Sequence, residues 1–170
     1  MNASAFQPPH GRWLLFDLGE QAYGLPISAV REVVPMTELS QPAGAPACLT
    51  GVLNLGGEAV AVVSLRRLFG MPSRPWELYT PLVVLKSTAP ALSFVVDRVT
   101  QVATVGEDGW HEIPADCSIN ECAVAALWTV ERSAVLLAPD RILLAAEKYR
   151  LRDLMHNEQL RVAELSEATA

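Results

Sequence analysis

Short apolar runs, each ended by a turn-forming residue, follow one another along most of the chain. "WLLFDLG" leads into "QAYGLPI", and then come "LTGVLNLGG", "EAVAVVSL", "TPLVVLK", "ALSFVVDRVTQVATV", "VAALWTV" and "SAVLLA". Runs this short, rich in β-branched residues and closely spaced, predict an all-β barrel or sandwich rather than alternating strand–helix units. Gly19-Glu20-Gln21-Ala22 and Gly56-Gly57 fall between such runs and read as hairpin turns of one barrel, because glycine takes positive φ without steric cost. In "EAVAVVSL", Val60, Val62 and Leu65 are expected on a different face from Ala61, Val63 and Ser64. Both faces are largely apolar, which predicts burial on both sides.

Helical periodicity is sparse. "SAVREVVP" carries Val30, Val33 and Val34 at helix spacing, has Ser28 as an N-cap candidate and stops at Pro35, so it predicts a short helix. "SLRRLFGM" predicts a single turn closed by Gly70. From about Ala145, "AAEKYRLRDLMHNEQLRVAELSEATA" sets Leu151, Leu154, Met155, Val162 and Leu165 in an apolar stripe broken by Glu158, and predicts a helix packed on its own domain.

Composition removes several function classes. The chain has 170 residues, 51% of them hydrophobic, enough to bury a core. A net charge of -6 without a basic patch argues against nucleic acid, whose binding relies on Lys and Arg displacing counterions. "MNASAFQPPHGR" does not read as a signal peptide, and no apolar run is long enough to insert in a membrane, so a cytoplasmic protein is expected. Cys48, Cys117 and Cys122 leave an odd thiol however they pair, which suits a reducing compartment. Their spacing offers no close pair of ligands for zinc, and no metal or cofactor is expected.

The chemistry-bearing residues suggest no enzyme. Gly51 and Gly56 have the spacing of a phosphate-binding loop, but Gly57 and Glu58 stand where that loop needs Lys and a hydroxyl, and a carboxylate there repels phosphate. His10, His111 and His156 lie in separate segments, and Ser64 and Ser93 lack a nucleophile elbow. Asp97-Arg98, Glu131-Arg132 and Asp140-Arg141 read as solvated strand ends or turns. An enzyme or small-ligand binder on a β scaffold would instead need an enclosed pocket with converging polar groups.

Two stretches carry a resemblance. "FDLGEQAYGLPISAVREVV" and "GVLNLGGEAVAVVSLRRLFG" together resemble the CheW family of bacterial chemotaxis coupling proteins, and "PLVVLK", "LSFVVDRVTQV" and "ALWTVERSAVLLAPDRILL" follow in the family's order. The resemblance implies an all-β fold with a few short helices: two SH3-like five-stranded β-barrels sharing a hydrophobic seam, plus a C-terminal helix. Residues 1–12 would then be a flexible tail, 13–145 the CheW-like domain of two barrel subdomains, and 146–170 an amphipathic helix and tail. It implies a non-catalytic adaptor that docks on the regulatory domain of a CheA-like histidine kinase and on chemoreceptor tips, either in chemotaxis or in a related pathway controlling pili or biofilm. The partner-binding residues carried over are Val30, Glu32, Gly51, Asn54, Leu55, Gly56 and Gly57. The loop "PMTELSQPAGAPA" is a candidate rim for kinase docking.

This chain departs from the family pattern at the residue that matters most for receptors. The family's Arg, tied to the Glu matched by Glu32, is replaced by Gly56, which leaves Arg31, Arg66 and Arg67 as local substitutes and predicts a weak hold on common receptor tips. Gly56→Arg would strengthen that hold provided the turn does not need positive φ there. Ala61, Ser64 and Ala126 stand where the family has Pro, Asp and Gly.

Overall fold

Both predicted hairpins form at their glycines. In the computed structural model, which describes residues 9–86 and 88–169, β1 (Gly11–Leu18) turns at Gly19, φ +61, into β2 (Gln21–Pro26). After a 3-10 turn at Ile27–Ala29 the chain enters β3 (Val30–Pro35). β4 (Leu49–Leu55) returns as β5 (Glu58–Ser64) through Gly56, φ +59, and Gly57, φ +92, a double positive-φ turn whose twist matches the flanking strands. Ser64 then caps α1 (Leu65–Leu68), its Oγ accepting from Arg67 N, and Gly70 at φ +67 ends that turn as expected. β6 (Pro81–Leu85), β7 (Leu92–Val95), β8 (Arg98–Val105), β9 (Trp110–Glu112), β10 (Ala123–Trp128), β11 (Ser133–Leu137) and the helix α2 (Ala145–Ala168) complete the chain.

The strands make two sheets. One has the order β8-β1-β2-β11-β10-β9, the other β3-β6-β7-β5-β4. Each includes one parallel pair, β2 with β11 and β5 with β7, among antiparallel neighbours. The middle of the chain supplies the second sheet and the flanking parts supply the first.

Three expectations are corrected here. The sheets have six and five strands and are not closed into barrels, so the two five-stranded SH3-like barrels are not observed. In the first sheet β8 and β9 are consecutive in sequence but unpaired with each other, because β9 is only three residues long and pairs with β10. In the second, the segment joining edge strands β3 and β4 begins after Pro35 and carries Pro42 and Pro46, which have no N–H for a ladder. An isolated bridge between Ser40 and Val52 covers part of the β4 edge. The hairpins at Gly19 and Gly56-Gly57 accordingly lie in different sheets. "SAVREVVP" is a 3-10 turn and a strand, since its valines pair along β6 and the helical spacing is overridden by the tertiary ladder.

Apolar side chains gather in three clusters. One belongs to the first sheet (Trp13, Leu15, Leu127 and Leu136 among others), one to the second (Leu53, Val60, Val62, Leu82 and Val84), and the largest lies between sheets and α2, around Phe16, Leu25, Val63, Phe94 and Leu151. Val60 and Val62 therefore face one cluster and Ala61 and Val63 another, with β5 buried on both sides as predicted. Leu65 joins Ala61 and Val63 instead of Val60, because the strand has ended and α1 begun.

A half-buried ion pair joins the sheets near Gly19. Asp97, between β7 and β8, accepts from Gly19 N at 2.6 Å and from Arg66 Nε and Nη2 at 2.8 and 2.5 Å. Burial acts to raise this carboxyl, but the Arg66 hydrogen bonds, the Gly19 N–H and the charges of Arg66 and Arg74 outweigh it and hold it below the usual carboxylate range.

Candidate partner-binding site

The start of β3 and the β4–β5 turn meet at one end of the second sheet. A bulge in the β3–β6 ladder falls between Val30 and Glu32, so that Val30 stays buried in the central cluster while Arg31 and Glu32 both reach solvent. Arg31 Nη1 donates to Glu58 Oε2 at 2.6 Å, and its Nε lies 3.2 Å from Glu32 Oε1. Glu58 opens β5 immediately after Gly57. One guanidinium thus ties the edge strand to the hairpin turn.

The turn is braced from within. Asn54 Oδ1 accepts from Gly57 N at 2.9 Å, and Leu55 is half-buried against the second sheet's cluster. Gly56 is exposed. Gly51, by contrast, is buried beneath the segment that follows β3. A Cβ there would lie 2.8 Å from Leu39 Cβ and 3.0 Å from Ser40 O, so its lack of a side chain admits the Ser40–Val52 bridge.

Of the carried-over residues, Glu32, Asn54, Leu55, Gly56 and Gly57 share this end of the sheet, whereas Val30 and Gly51 are interior residues, Val30 in the central cluster and Gly51 under Leu39 and Ser40. Among the three arginines considered as substitutes for the missing charge, Arg31 is the one on Glu32. Arg66 is held by Asp97, and Arg67 Nη1 donates to Ala47 O at 3.1 Å. Gly56 has φ +59, so the proviso attached to Gly56→Arg fails and an arginine there would be strained. Sequence reasoning missed Glu58 as a member of the site; the available signal was a carboxylate directly after the hairpin glycines.

The comparisons with known proteins bear on this architecture. The family model described as the CheW-like domain matches residues 12–147. The chain belongs to the CheW-like family. The chemotaxis protein CheW of Klebsiella aerogenes is 30% identical over 93 residues, 55% of this chain and 56% of that protein. CheW of Treponema pallidum is 28% identical over 103 residues, 58% of this chain and 61% of the relative. The chain thus spans about six-tenths of the length of these curated relatives. The crystal structure of the scaffolding protein TtCheW from Thermoanaerobacter tengcongensis superposes with a TM-score of 0.72 at 21% identity, covering 82% of this chain and 96% of that one, and shows a CheW-like fold.

Other chemistry in the CheW-like domain is sparse. Among the described residues no group of three or more His, Cys, Asp or Glu could hold a metal ion, and no helix is long and apolar enough to cross a membrane. Cys48 and Cys122 are buried free thiols, and burial pushes both up, whereas Cys117 is exposed. A cleft of about 330 Å³ beside α2 is walled mainly by Leu85, Pro90, Leu92, Leu143 and Leu151. Its lining is predominantly apolar and also includes Lys86, Thr88, Asp140 and Lys148.

Proposed function

We propose that this chain is a non-catalytic adaptor that couples a CheA-like histidine kinase to chemoreceptor tips and works in the cytoplasm. Membership of the CheW-like family supports the coupling role. The observation that carries the receptor side is the Arg31 guanidinium placed between Glu32 and Glu58 beside the Asn54–Gly57 turn. A receptor tip is a helical hairpin, and its recognition needs apolar contacts with a few polar groups to fix register. Arg31 supplies from β3 the positive charge that position 56 lacks. The surface used is Arg31, Glu32, Asn54, Leu55, Gly56, Gly57 and Glu58, with Val30 anchoring the start of β3 in the core.

The kinase side uses a separate surface. The segment 35–47 is tied to β4 by the Ser40–Val52 bridge and by Gln41 Nε2 donating to Thr50 O at 3.0 Å, so its exposed Pro35, Ala43, Ala45 and Ala47, with the half-buried Pro42 and Pro46, are presented with little ordering cost on binding. Calorimetry of the full chain against the regulatory domain of its cognate kinase and, separately, against a chemoreceptor cytoplasmic fragment tests the proposal. Binding to both supports it. No heat with either partner at concentrations up to about hundreds of micromolar ends it.

A further inference from the structure

The peptide groups at the start of β5 raise an accounting question. β7 begins alongside β5 only at Ala61, paired with Leu92, and Ala61 N donates to Ala91 O at 2.9 Å. The ladder gives the preceding groups on that edge, the Gly57 carbonyl and the Ala59 N–H, no strand partner. Ala59 is only 4% exposed, so an unpaired N–H there would be costly.

Gln159 of α2 fills that place. Its Oε1 accepts from Ala59 N at 2.8 Å and its Nε2 donates to Gly57 O at 3.0 Å. The side-chain amide therefore acts as one peptide group of an added strand. α2 is seated for this by Leu151, Met155 and Val162, which are buried in the central cluster. Most of α2 lies beyond residue 147, where the family match ends. The turn it holds consists of two positive-φ glycines, which lose more backbone freedom on ordering than any other residues.

We infer that α2 is a built-in strut of the partner-binding surface and that Gln159 is its positioning residue, fixing the Gly56–Gly57 turn from the inner side while Arg31 ties Glu58 from the outer. The functional half of this inference rests on the receptor-binding reading above; the positioning half does not.

The test uses the full chain, labelled for amide hydrogen exchange, with Gln159→Met, which keeps the side chain's length and removes both hydrogen bonds, and Gln159→Glu, which keeps the acceptor and loses the donor. In Gln159→Met the Ala59 amide should exchange about tenfold faster or more. Val83 in β6 should be unchanged and the Gly56, Gly57 and Glu58 resonances should shift. In Gln159→Glu the Ala59 amide should remain protected while the Gly57 environment changes. Affinity for the chemoreceptor fragment should fall several-fold in Gln159→Met, with kinase-domain affinity unaltered. Unchanged Ala59 exchange in Gln159→Met overturns the positioning role. Faster exchange with undiminished receptor affinity shows that the clamp is structural only and overturns the functional half. If the unmodified chain does not bind the receptor fragment, the receptor reading fails and the functional half with it, while the exchange data still decide the positioning half.

Discussion

Replacing Asp97 by asparagine removes the charge from the ion pair that joins the two sheets while leaving the packing nearly unchanged. The side chains of Asp97 and Arg66 are 13% and 16% exposed, so solvent screens their interaction only weakly. Hydrogen bonds to charged groups each contribute about 1.5–3 kcal/mol, and Asp97 receives two from Arg66. Asparagine keeps one acceptor, which can serve Gly19 N or one arm of the guanidinium but not both arms. A loss of about 2–3 kcal/mol follows, or about 4–12 °C in midpoint for a chain of this size. Urea unfolding at neutral pH measures it. A change below about 0.5 kcal/mol would refute the reasoning. The pH dependence gives a second check. Because the folded carboxyl sits below its unfolded value of about 3.9, its contribution is complete above that value and disappears as pH falls through the folded one. The gap between the unmodified chain and Asp97→Asn should therefore narrow on acidification below about pH 4. A gap that stays constant down to about pH 2 would mean that the carboxylate charge is not its source.

Arg31→Ala should leave the unfolding midpoint unchanged within error, since its ion pairs are exposed, and should weaken binding of a chemoreceptor fragment in calorimetry; intact binding would remove Arg31 from the surface. Gly56→Arg should lower stability by about 1 kcal/mol, because φ +59 is costly for a residue with a Cβ, and a neutral or stabilising result in urea unfolding would contradict the turn geometry. In the native protein Ellman's reagent should titrate Cys117 rapidly and reach Cys48 and Cys122 only on unfolding; rapid reaction of all three thiols would contradict the burial of the other two.

The local rules written in the chain were legible without the structure. Gly19 and Gly56-Gly57 close hairpins because glycine alone adopts their φ cheaply, and β5 is buried on both faces because Val60, Val62, Ala61 and Val63 leave no polar side. The C-terminal stripe of Leu151, Met155 and Val162 specified a packed helix. Identifying the chain as CheW-like from its two motifs was also possible, and the family match confirms it. Tertiary structure decided whatever depends on partners distant in sequence. The valines after Ser28 have helical spacing but form a strand because β6 offers them a ladder. The run "ALSFVVDRVTQVATV" reads as continuous, yet the chain passes from one sheet to the other at Val96-Asp97, and neither sheet closes because β9 is short and prolines interrupt the β3–β4 connection. Arg31 became the holder of Glu32 and Glu58 through a bulge, and Gln159 reached Ala59 through the docking of a helix 100 residues away. Turn and burial preferences act over a few neighbouring residues and leave their mark in sequence, whereas strand pairing and side-chain clamps are set by which distant segments the folded core brings together.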